Sequence, residues 1–210
     1  LGALDDEHRI TPQGEAMAQL PLDPAGAAMV LFGASHDAAE RAARLVLLLQ
    51  ERGLGGRGED LEARLSRWNG EQGARAEASR KLAGRWAKAA EKLTSVRAEL
   101  VEARTGPAPS ARPSTSSGRA GDVVPLAIIL AAGRSGFVAK RRDASGEEWL
   151  AANGRGYRLD PTSPVARAEF CAIGDAQGSA QGARITAAAA LDEPDLRGGL
   201  GVRTERGVRT

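Results

Sequence analysis

Aromatic side chains make up only 3% of this 210-residue chain, so its cores must be built mostly from Leu, Val, Ile and Ala. Cysteine occurs once, at Cys171, which excludes an intrachain disulfide and a cysteine-based zinc site. Cys171 lies in an apolar run, Phe170-Cys171-Ala172-Ile173, and reads as a buried, inert thiol. The two histidines, His8 and His36, are far apart and lack neighbours at metal-ligand spacing. Lysine occurs only at 81, 88, 92 and 140, and none follows a glycine, so no Walker A phosphate loop is encoded. There is no G-x-S-x-G nucleophile elbow. The adjacent Glu147 and Glu148 would point to opposite faces of a strand, which argues against a carboxylate pair acting on one bond. No signal peptide is visible, and no apolar run approaches the roughly 18 residues of a membrane span. These absences predict a soluble, cytoplasmic binding protein without catalysis of its own. The start at Leu1 rather than methionine suggests a piece of something longer.

The apolar content is 42% and the formal net charge only +2, which excludes a strongly polycationic protein. Almost all the positive charge is arginine, the better side chain for bidentate phosphate contacts and buried ion pairs. Residues 1–104 read as helical. Thr11-Pro12 and Asp23-Pro24 are helix starts, each a capping residue followed by proline, for helices at about 12–20 and 24–34. Before them, Asp5 to Ile10 reads as a small strand or wing. Asp37 is expected to cap an apolar helix carrying Leu45 to Leu49, which stops near the glycine-rich stretch Gly53 to Gly58. That stretch follows a helix and contains no lysine, so it reads as a connection. Glu59 to Trp68 is a further helix, and 72–103 the longest one. In it Leu82, Trp86, Ala89, Leu93, Val96 and Leu100 recur at steps of four and three, which predicts a seam. Arg80, Lys81, Arg85, Lys88 and Lys92 fall mainly outside it, as a solvated face or a nucleic-acid-facing one.

Residues 105–121, TGPAPSARPSTSSGRAG, offer nothing with which to build a core and read as a flexible linker. Residues 122–196 form a second, smaller unit: a short helix over Val124 to Ala132, then strands at about 136–142, 147–152, 155–159, 168–174 and 183–190. Asn153-Gly154 is the strongest hairpin signal, with positive φ expected at both central positions. Several short strands after one helix suggest a small antiparallel sheet or a partly open, OB-like barrel. The tail over 197–210 is expected to be disordered. The fold class is therefore α+β, a helical bundle followed by a linker and a small β-rich domain.

Binding chemistry concentrates in the second unit. Lys140 and Arg142 share one strand face, and Phe137, Ala139 and Arg141 the other. A neighbouring hairpin with Asn153, Arg155, Tyr157 and Arg158 could hold a phosphate backbone and stack a base, as small barrels do with single strands. The competing reading is that Trp149 and Tyr157 fill the core while the arginines are solvated.

These residues resemble a family. Leu1 to Leu4, Arg9-Ile10-Thr11-Pro12, Met17-Ala18 and Leu20-Pro21-Leu22 are similar to the passage from winged helix to ratchet domain in HrpB-type bacterial ATP-dependent helicases, relatives of the DEAH-box RNA helicases. Leu47 to Glu51 and Asp60 to Leu65 resemble the bundle that follows, and Val138 to Arg142 with Leu150 to Gly156 the family's C-terminal part. The resemblance implies an accessory region that guides single-stranded RNA or DNA past a motor absent from this chain. Nucleic-acid contact would then fall to Lys140, Arg141, Arg142, Asn153 and Arg155. No cofactor is implied for this chain, since ATP and Mg²⁺ would belong to the missing motor domains. Its partners would be nucleic acid and those domains, not a membrane. The alternative is a non-catalytic protein-interaction module docking through the 82–100 seam.

Overall fold

The computed structural model describes residues 1–51, 53–105, 123–178 and 182–196, with side chains in the helix up to Val96. Six α-helices of seven residues or more and five strands are present among them: α1 (Pro12–Ala18), α2 (Pro24–Ala34), α3 (Ala39–Gln50), α4 (Leu61–Gly70), α5 (Ala74–Thr105), α6 (Leu126–Gly133), β1 (Val138–Arg141), β2 (Glu148–Ala151), β3 (Gly156–Arg158), β4 (Phe170–Gln177) and β5 (Ala183–Leu191). Apart from Thr105, the residues expected as a linker lie outside the described residues, as does the expected tail.

Local chemistry sets the helix ends. The Thr11 hydroxyl accepts from the Gly14 amide at 3.0 Å ahead of Pro12, and Asp60 accepts from the Glu62 and Ala63 amides. Asp37, expected as a cap, does something else. It takes a left-handed conformation (φ 55°), while the amides of His36 and Ala38 both donate to Gly33. Aspartate tolerates that region, so Asp37 closes the end of α2, and α3 starts at Ala39 without a side-chain cap. The Asp5–Ile10 wing is reduced to a single antiparallel bridge between Leu4 and Ile10.

α2 is buried on nearly every side, between α3, α5, α1 and α6. α6 crosses back onto it closely: a Cβ at Gly133 would lie 2.4 Å from the Ala25 carbonyl oxygen. Glu62 of α4 holds the start of α6, accepting from the Leu126 amide at 3.2 Å while it pairs with Arg41, whose Nε donates to the Val124 carbonyl. The seam on α5 is rotated from its expected position. The buried stripe is Ala76, Ser79, Ala83, Trp86, Ala87 and Ala90; Leu82 and Leu93 are half-buried, and Ala89 and Val96 are exposed. Alanines let neighbouring helices approach closely, so they, and not the larger residues, mark the contact line. Leu100 falls among the side chains that are not described.

The strands close into a five-stranded barrel in the order β1-β2-β3-β5-β4, with β4 pairing back to β1. All pairs are antiparallel except β3 with β5. Inside lie Ala139, Trp149, Ala151, Tyr157, Cys171, Ile173 and Ile185. The outer side of β4 and β5 is buried as well: Ala172, Ala187, Ala189 and Leu191 join the core of the helices. Leu126, Ile129 and Leu130 of α6 belong to the same core, and each such side chain contributes about 1.5–3 kcal/mol. Among the described residues the helices pack mainly against β4 and β5; on β1 only Val138, at its start, reaches their core, and the outer side beyond it positions the candidate site.

Candidate nucleic-acid interface

β1 and β2 pair with Lys140 opposite Leu150 and Arg141 opposite Trp149. Because side chains alternate along a strand, Lys140 and Leu150 face solvent while Ala139 and Trp149 face the barrel interior. Lys140 sits 3.3 Å from a Glu169 carboxylate oxygen and 5.4 Å from the centre of the Phe170 ring. Its ion pair is well exposed, so it is weak and gives way readily to another anion.

Arg141 has a different task. It turns toward the end of the barrel and donates from Nη1 to the carbonyls of Ala166 and Arg167 at 3.2 and 3.3 Å. That fastens a single 3-10 turn, Pro164–Arg167, over the barrel mouth. Arg142 follows β1, is exposed, and has no side-chain partner among the described residues. The loop that carries it is shaped by Asp143, which accepts from the Glu148 amide at 3.0 Å and from the Ser145 hydroxyl. Those hydrogen bonds, Ser145 first, hold the Asp143 carboxyl below the usual carboxylate range.

Asn153 and Arg155 lie at the other end of the same two strands. The β2–β3 turn differs from the expected one in that only Gly154 has positive φ (79°). The Gly154 amide donates to Ala151 at 2.9 Å and the Ala151 amide to Arg155 at 3.0 Å, giving a three-residue loop with glycine at its left-handed position. The Asn153 carboxamide oxygen accepts from the Arg155 amide at 3.0 Å, and its nitrogen donates to the Tyr157 hydroxyl at 3.4 Å. Asn153 is thus partly occupied in shaping its own turn, whereas the Arg155 side chain is exposed and unpartnered among the described residues. At about 3.3 Å per residue, the two ends of the strands are roughly 13 Å apart.

The five residues are therefore spread along one sheet rather than gathered at one point. Arg142 and Arg155 are free at its two ends, Lys140 is loosely paired between them, and Arg141 and Asn153 have structural hydrogen bonds. Tyr157, expected as a possible stacking platform, is 5% exposed inside the barrel, and Trp149 is fully buried with its indole N–H donating to Gly146 at 2.7 Å. On these aromatics the core-filling reading is correct. The apolar side chain available on this face is Leu150, 43% exposed. Arg158 is tied to Glu147 at 2.7 Å.

A second run of free cations lies on α5. Lys81, Arg85, Lys88 and Lys92 are exposed at helical spacing without side-chain partners among the described residues, while Arg80 is consumed by the carbonyls of Trp68 and Glu71. Sequence reasoning missed the cluster of Arg57, Arg64 and Arg67 around the Gly53–Gly58 loop. Only the loop's glycine content hinted at it. Among the described residues no three metal-ligating side chains come together.

Comparison with known proteins gives this surface a context. The family described as "Helicase associated domain (HA2), winged-helix" matches residues 1–22. No curated protein matches. The crystal structure of the Escherichia coli DExH-box NTPase HrpB is similar over 98% of this chain, at 27% identity and a TM-score of 0.66. A crystal structure of the Escherichia coli DEAH/RHA helicase HrpB is similar over 90% of this chain, at 25% identity and a TM-score of 0.60. The chain spans about a fifth of these HrpB chains, 21% and 20% of their lengths. The winged-helix match at residues 1–22 and the nearly complete structural coverage make this chain similar to a helicase-associated part of HrpB, in line with the resemblance to the C-terminal accessory region of HrpB-type helicases.

Proposed function

We propose that this chain is the accessory part of an ATP-dependent DEAH-box helicase, and that its barrel is OB-like and guides single-stranded RNA or DNA past motor domains outside the chain. ATP and Mg²⁺ would be handled by those domains. The five-stranded barrel with one parallel pair supports the OB-like reading, and OB barrels bind oligonucleotides on the face of their second and third strands and on neighbouring loops. The observation that carries the proposal is a run of exposed residues from the end of β1 to the β2–β3 turn. Among the described residues Arg142 and Arg155 are unneutralised at its two ends, with Lys140 and exposed Leu150 between them.

A surface of this kind binds by displacing counterions from phosphates, and Leu150 offers apolar contact to a base or sugar. Fluorescence anisotropy with a labelled single strand across a salt series tests the reading. Each phosphate contact on a single strand contributes about 0.7 to the slope of log K against log salt. Losing Arg142 and Arg155 together lowers that slope by about 1.4. Affinity and slope unchanged in the double variant would overturn the assignment.

A further inference from the structure

A cavity of about 420 Å³ opens where the α3–α4 loop meets the outer side of β4 and β5, on the bundle side of the barrel and away from Lys140. Glycines 53, 56 and 58 line one wall, all with positive φ, and a Cβ at Gly53 would meet nothing within 4 Å. Arg57 and Arg64 line it too, opposite Asp175. Arg64 is 7% exposed, yet it has no ion-pair partner among the described residues. Its Nε and Nη2 donate to backbone carbonyls, Leu48 at 3.1 Å and Leu54 at 3.4 Å, and Nη1 has no acceptor among the described residues. Asp175 is the nearby carboxylate, but its oxygens already accept from the Ala176 amide at 2.9 Å and the Thr186 hydroxyl at 3.1 Å. Arg67 adds a third positive charge beside the loop, donating to Gly55 at 2.7 Å and to the Arg57 carbonyl at 3.0 Å. Burial, and after it the charge of Arg67, holds the Arg64 pKa below the usual guanidinium range, while Asp175 pulls it back up.

A buried guanidinium with a donor to spare, beside a second and a third arginine and only one carboxylate, is stabilised by an anion that reaches it. The glycine wall leaves the approach clear. We propose that this cavity is a phosphate site, in which Arg64 Nη1 and the Arg57 side chain hold the phosphate group of a nucleotide or of a nucleic-acid strand. Guanidinium forks match phosphate oxygens in geometry as well as charge. The site does not depend on strand contact at the outer side of β1 and β2.

Isothermal titration calorimetry on the full chain tests it with three probes: inorganic phosphate, uridine 5′-monophosphate, and a short oligouridylate with hydroxyl ends. Each titration is run on the wild type and on the Arg142→Ala, Arg155→Ala double variant, which leaves the cavity intact. Saturable one-to-one binding is expected in the double variant, and for the first two probes in the wild type too, where the oligouridylate also has the surface of β1 and β2 to occupy. Binding of the first two probes assigns the site to a terminal phosphate, and binding of the oligouridylate alone assigns it to the strand backbone. Arg57→Ala, at an exposed position, weakens the binding about tenfold, and Asp175→Asn strengthens it. Arg64→Lys keeps the charge but loses the fork and weakens it as well, with circular dichroism checking that the variant is folded. The proposal is overturned if none of the probes binds saturably, or if Arg57→Ala binds them as tightly as the wild type.

Discussion

The Ala188 amide in β5 donates to the Glu59 carbonyl at 2.7 Å, so the residue just before the Asp60 cap of α4 is stitched to the middle of a barrel strand. Ala187 and Ala189, on either side, belong to the core of the helices, while Ala188 itself belongs to the barrel interior. β5 is thus shared by two cores, and its run of alanines lets the helices lie close against it.

That contact predicts cooperative unfolding of barrel and bundle. Ala189→Leu overfills the junction and is expected to cost about 1–3 kcal/mol. Thermal unfolding followed by tryptophan fluorescence and by circular dichroism should give coincident transitions in the wild type. Separate transitions there would show that the two cores fold independently.

Arg141 and Arg142 are neighbours with opposite expected phenotypes. Arg141→Ala removes two hydrogen bonds to the 3-10 turn and is expected to cost about 1 kcal/mol in urea unfolding. Arg142→Ala, at an exposed side chain without a partner among the described residues, should stay within about 0.5 kcal/mol of wild type while strand affinity falls. A stability loss at Arg142 equal to that at Arg141 would contradict these roles.

Cys171 is fully buried in the barrel, and burial pushes its thiol up to about 12. An unfolded cysteine titrates near about 8.5, so between these values the folded state retains a proton that the unfolded state has lost. Its contribution to stability is complete below about 8.5 and declines as pH rises toward about 12. Urea unfolding from pH 7 to pH 10 should show a decline that is smaller in Cys171→Ala. At pH 8 the folded thiol should resist alkylation and become reactive only on unfolding.

Much of this was legible locally. Thr11-Pro12 and Asp23-Pro24 both mark helix starts because proline fixes φ at the first helical position; Thr11 adds a capping oxygen, whereas the Asp23 side chain makes no cap hydrogen bond. All five strands occur near their expected positions, since β-rich runs between turn residues carry their own signal. What was not legible depends on distant contacts. Asp37 ends α2 instead of starting α3 because Gly33 takes its neighbours' amides. The α5 stripe follows Ala83, Ala87 and Ala90 because close packing selects small residues, which a search for large apolar side chains passes over. Periodicity in α6 does not reveal that it lies on α2, nor does the sequence around Arg64 show a guanidinium beneath a glycine loop. At the candidate interface, strand alternation placed Lys140 and Arg142 on one side, whereas the tie of Arg141 to Ala166 and Arg167 joins residues about 25 apart.

The most direct test is strand binding to wild type and to the Arg142→Ala, Arg155→Ala variant, measured by anisotropy between 50 and 200 mM salt, the range over which phosphate contacts lose affinity steeply (about 10³–10⁵-fold for 6–10 contacts on duplex DNA). The account predicts salt-sensitive binding by the wild type, and in the variant a lower affinity with a slope reduced by about 1.4. Wild-type binding that is absent or insensitive to salt, or a variant that matches the wild type in both affinity and slope, would contradict it.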